Sequence, residues 1–90
     1  MRLYDWQRMI LEREGLGAWL VKHGEPYCWF KTKVIHFDEN SDDHALFLHE
    51  VAHALAPLPE KFGKGQHYHG GAWSSEFGRL VRTYMVPIKL

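Results

Sequence analysis

Cysteine is nearly absent from this chain of 90 residues: Cys28 stands alone, so no internal disulfide can form. No apolar run approaches the roughly 18–20 residues that a membrane-spanning helix needs. The opening MRLYDWQRMILERE is charged throughout and lacks the apolar stretch of a secretory signal. Charge of one sign is missing too. The 11 Lys plus Arg balance 11 Asp plus Glu, whereas phosphate-backbone binding normally shows as a basic surplus. These absences argue against a nucleic-acid or membrane partner, and the single free thiol suits a reducing, cytoplasmic compartment. The length suits one domain spanning residues 1–90. A chain this short buries only about 60–65% of its unfolded surface, so without disulfides its help must come from a metal or from self-association.

What the sequence has in quantity is histidine, 7 in all. Before the motifs are read, the chain divides into elements. Leu3, Trp6, Met9, Ile10 and Leu11 follow the spacing of an amphipathic helix over 2–14, ended by Gly15 and Gly17. Ala18 to Lys22 reads as a strand, and His23-Gly24-Glu25-Pro26 as a turn. Tyr27 to Phe37, rich in aromatic and β-branched residues, reads as a second strand antiparallel to the first. Asn40 or Ser41 offers an N-cap for a helix from about Asp42 to Ala56, which Pro57 and Pro59 terminate. That helix is apolar nearly all round and should therefore be buried. Pro57 to His69 reads as a loop, and Trp73, Phe77, Leu80, Val81 and Tyr84 mark a final helix over 70–84. The expectation is an α+β fold: N-terminal helix, short antiparallel sheet, central helix, C-terminal helix.

The central helix carries His49-Glu50-Val51-Ala52-His53, an H-E-x-x-H pattern. Residues four apart lie one above the other on a helix, so His49 and His53 can offer ring nitrogens to one ion. Glu50 projects about 100° away, an offset suited to a carboxylate that reaches the ion's water rather than the ion. Zinc brings the pKa of such a water towards about 7, and a neighbouring carboxylate can take its proton for attack on a carbonyl. Two histidines and a glutamate without partners would be costly in so apolar a helix, which favours a metal site over incidental packing. A third ligand is needed. The candidates are His67, His69 and Glu76, the last as a glutamate ligand from a later helix. Their bland readings are loop histidines in solvent and an exposed helical charge.

HEVAHAL, a Gly- and Pro-containing loop and then His69-Gly70-Gly71-Ala72-Trp73 resemble the SprT-like group of zincin metallopeptidases, whose third histidine lies in an H-G-x-x-[F/W] element. The likeness covers roughly Lys31 to Tyr84. It implies a compact zincin-like domain with His49, His53 and His69 as Zn2+ ligands, Glu50 as general base, and a peptide or protein substrate. Two departures bear on this. The paired cysteines of the group's zinc ribbon are missing, so its DNA-linked roles are not carried over. Ala56 occupies the position where the metzincin pattern requires glycine. Zincins bind substrate along an edge strand, which would here be Val34 to Phe37. Tyr68, Tyr84 and His67 are candidates to stabilise an oxyanion. His36 reads as a strand surface residue, and His23 and His44 carry no assigned chemistry. The alternative function is a small binding module stabilised by a structural, non-catalytic zinc, with His67 and His69 completing four protein ligands.

Overall fold

The computed structural model describes residues 2–29, 32–56 and 69–85. Helix α1 spans Asp5–Arg13 and is shorter than its apolar spacing suggests, because its entry is fixed by Gln7, whose Oε1 accepts the Tyr4 N–H at 2.9 Å. It ends as expected at Gly15, whose φ of 78° only glycine adopts cheaply. The Gly15 N–H bonds the Glu12 carbonyl at 3.2 Å and the Leu16 N–H bonds the Leu11 carbonyl at 2.7 Å. This paired closure turns Leu16 into the core.

The sheet departs from the sequence expectation. It has three strands, β1 (Leu20–His23), β2 (Tyr27–Trp29) and β3 (Val34–Phe37), in the order β1-β3-β2. β1 pairs with β3 in parallel, and β2 with β3 antiparallel, so the sheet is mixed. The long strand expected over Tyr27 to Phe37 is a hairpin. Lys33 adopts a φ of 59°, a left-handed turn position that reverses the chain before Val34. β3 is consequently the central strand, which overturns its assignment as the edge available to a substrate. Cys28, Ile35 and Phe37 point to the covered face and are buried. His36 points to the other face, in register with Lys22 and Tyr27.

Helix α2 spans His44–Leu55. Its N-cap is Asp43 rather than Asn40 or Ser41, and the carboxylate accepts the Leu46 N–H at 3.0 Å. The two earlier residues are engaged otherwise: Asn40 N–H bonds Asp38 Oδ1 at 2.9 Å and Ser41 Oγ accepts the Asp43 N–H at 3.2 Å. As its composition implies, α2 lies at the centre of the domain, with Phe47, Leu48, Val51 and Ala52 fully buried. Phe47 meets Phe37 edge-on at 5.3 Å and Trp6 edge-on at 5.3 Å, tying sheet, α1 and α2 together. Deleting such a ring typically costs about 3–5 kcal/mol. The sheet covers one side of α2 and α3 (Gly71–Tyr84) packs on another. Leu80 is the fully buried residue of α3, and Trp73, Phe77, Val81 and Tyr84 pack partly buried beside it. Among the described residues no helix is long and apolar enough to cross a membrane.

Candidate metal centre

α2 presents His49 and His53 one turn apart on one face, their ring centroids separated by 5.0 Å. His69 arrives just before α3, whose extended N-cap is Gly70. Its Nε2 lies 3.2 Å from Nε2 of His53 and 3.2 Å from Nε2 of His49. One ligand atom from each of the three residues lies within 4.8 Å of the others, and no further His, Cys, Asp or Glu joins the group among the described residues. Together they make a zincin-like H-E-x-x-H triad on a compact α+β scaffold.

The chemistry of this donor set fits a divalent metal. Two nitrogens bound at about 2.0–2.1 Å in tetrahedral geometry stand roughly 3.3–3.4 Å apart, close to both of the His69 separations. Three imidazole nitrogens converging on one point also cannot satisfy one another. A proton on His69 Nε2 serves one neighbour, leaving the second pair of lone pairs opposed, and a cation relieves that conflict. Burial is graded across the group, with His53 at 6% exposure, His49 half-buried and His69 exposed, so the cluster meets solvent on one side. Burial, and then the charge of His69, lowers the His49 pKa, which favours the neutral form that binds metal.

Glu50 is 4% exposed, and its Oε1 has no hydrogen-bond partner among the described residues. Burial raises its pKa to about 7. Beneath it, Cys28 is sealed at 1% exposure, and burial followed by the Glu50 charge pushes the thiol up to about 12. Cys28 is thus an inert thiol and not a ligand. The combination of a convergent histidine triad and a buried carboxylate outside it supports a zinc-dependent catalytic mechanism over a purely structural site.

Trp73, in the first turn of α3, donates its indole N–H to the His49 carbonyl at 3.2 Å. Its ring lies near all three imidazoles and stacks on Phe77 at 5.0 Å.

Two sequence candidates are placed elsewhere. Glu76 accepts from Arg79 Nη2 at 2.9 Å and from Nε at 3.2 Å and is no part of the metal group. Tyr84 sits eleven residues beyond Trp73, roughly 16 Å along the helix. Its hydroxyl donates to Glu14 Oε2 at 2.6 Å, which removes it from the oxyanion role. His67 and Tyr68 lie outside the described residues. His44 stacks on Trp6 with centroids 3.6 Å apart, and His23 accepts the Glu39 N–H at 3.2 Å, so both serve the fold. The Glu14–Arg79–Tyr84 clamp was not foreseen, since its members are far apart in sequence and nothing local marks them.

Comparison of the chain with protein-family models, curated proteins and solved structures yields no match.

Proposed function

We propose that this protein is a zinc metallopeptidase in which His49, His53 and His69 hold the metal and Glu50 is the general base. The observation that carries the reading is the pairing of three convergent imidazole nitrogens with a buried carboxylate one residue from the first ligand, its Oε1 without a hydrogen-bond partner among the described residues. A structural metal site has no use for that carboxylate.

Zinc held by three histidines supplies Lewis acidity, lowering the pKa of a water towards about 7 and polarising a carbonyl oxygen. Glu50 accepts the proton released at its carboxylate oxygen and returns it to the departing amide nitrogen. Its burial serves this work, since desolvation raises its pKa and makes the carboxylate a stronger proton acceptor. His53, the most buried ligand, anchors the group to the core, while exposed His69 borders the side from which substrate arrives. The substrate class is a peptide or protein. Residues 1–90 acting as one catalytic domain, and a cytoplasmic location suited to a free thiol at Cys28, belong to the same proposal.

The test is Glu50→Gln, with metal content and peptide hydrolysis measured on the same sample. The variant should keep one zinc per chain and lose turnover by about 10²–10⁴-fold, the range for general acid–base catalysis. Loss of the metal, or activity equal to wild type, would refute the assignment of Glu50.

A further inference from the structure

A histidine that binds metal through one ring nitrogen is ordinarily oriented by a hydrogen bond from the other to a carboxylate, carbonyl or water. Neither His49 nor His69 makes such a bond to protein among the described residues. Their ring nitrogens meet each other, through Nε2, and otherwise the rings touch aromatic groups. Trp73 is the ring that touches both of them. Its ring centroid lies 4.5 Å from His69 at 79°, 4.9 Å from His49 at 64° and 5.5 Å from His53 at 33°.

The indole is itself held on two sides. Phe77 stacks on it with an interplanar angle of 8°, and its N–H is bonded to the His49 carbonyl. That carbonyl belongs to the helical turn joining His49 to His53, so the bond ties the indole to the backbone carrying both. Leu80, on the same helix, is fully buried in the hydrophobic core. Trp73 instead spends its ring on three imidazoles.

We propose that Trp73 is the positioning residue of the metal centre, fixing the imidazole planes of His49 and His69 by ring contact and the His49 backbone by its indole hydrogen bond. The inference rests on the metal reading above. It assigns to aromatic packing the orienting work usually performed by carboxylates.

The test uses the full chain loaded with Co2+, whose visible spectrum reports ligand geometry, with affinity measured by competition against a chelator. Trp73→Leu should weaken cobalt binding by about 10–100-fold, the usual cost of losing an orienting partner, and shift the visible bands. Trp73→Phe keeps an aromatic plane and loses the N–H donor, so it should bind more tightly than Trp73→Leu while still shifting the bands. Leu80→Ala, a core change on α3 away from the triad, should keep the wild-type spectrum and affinity. Wild-type spectra and affinities in both Trp73 variants would overturn the inference, as would a loss in Leu80→Ala equal to that in Trp73→Leu. If Trp73→Leu does not fold by circular dichroism, an unchanged spectrum in Trp73→Phe overturns it alone. Failure of the wild-type chain to bind cobalt would remove the metal reading and this inference together, whereas normal wild-type binding with indifferent Trp73 variants removes the inference only.

Discussion

Glu14, at the end of α1, closes a clamp on the last turns of α3. Its Oε1 accepts from Arg79 Nη2 at 2.7 Å, and its Oε2 from Tyr84 at 2.6 Å and from Arg79 Nη1 at 3.4 Å. The Glu14 side chain is 10% exposed and that of Arg79 44%. Glu14→Gln preserves volume and one acceptor and removes the charge. Hydrogen bonds to charged groups contribute about 1.5–3 kcal/mol against about 1 for neutral ones, and exposure of Arg79 discounts the difference, which leaves a loss of about 1–2 kcal/mol. For a chain of this size that lowers Tm by about 4–15 °C. The pH dependence has a definite sign. The hydrogen bond from Arg79, joined by that from Tyr84, holds the Glu14 carboxyl below its usual 4.5 against the opposing effect of burial. The clamp's contribution is therefore fully present above about pH 4.5 and is lost as pH falls through the lowered folded value. Urea unfolding of wild type and Glu14→Gln between pH 7 and pH 3, with Arg79→Met completing a double-mutant cycle, measures it. A deficit at pH 7 below about 0.5 kcal/mol, a deficit that does not shrink in acid, or zero coupling to Arg79 would each refute the reasoning.

His69→Ala should abolish metal binding; at free zinc a hundredfold above its Kd the ion should stabilise wild type by about 2.7 kcal/mol and leave this variant unmoved, as elemental analysis and thermal melts will show. Gly15→Ala meets no atom within 4 Å but inherits a φ of 78°, so urea unfolding should register a cost of about 1 kcal/mol from the backbone alone. Cys28, 1% exposed with its pKa at about 12, should react with a disulfide reagent at pH 8 only after unfolding; prompt reaction of the native protein would contradict its placement.

The helices were legible in the sequence because their signals are local. The spacing of Trp73, Phe77, Leu80, Val81 and Tyr84 is the inner face of α3, and the apolar surround of H-E-x-x-H placed α2 at the centre. The sheet was not legible in the same way. Tyr27 to Phe37 carries strand-forming residues almost throughout, and the left-handed residue just before β3 is Lys33, a residue type that gives no turn signal. Once that hairpin forms, β3 can enter between β1 and β2, and the parallel pairing with β1 follows from tertiary packing. Residue alternation along one strand does not specify its neighbour.

The site divides along the same line. Glu76 and Arg79 stand three apart on a helix face, the spacing of an ion pair, and this local signal discounts Glu76 as a ligand. The partnership of Arg79 and Tyr84 with Glu14 spans most of the chain and left no such mark. The His49–His53 half of the metal group was legible as a four-residue helical step, whereas His69 was set apart from His67 and Glu76 only by the resemblance of its surroundings to an H-G-x-x-W element. His53 follows His49 by four within α2, and Trp73 follows His69 by four at the opening of α3. Helix geometry sets His53 beneath His49, whereas His69 precedes the extended N-cap Gly70 and reaches Trp73 through the turn into α3. The bond from Trp73 to the His49 carbonyl then joins the two steps, so part of the docking of α3 on α2 is made at the backbone of a metal-site residue.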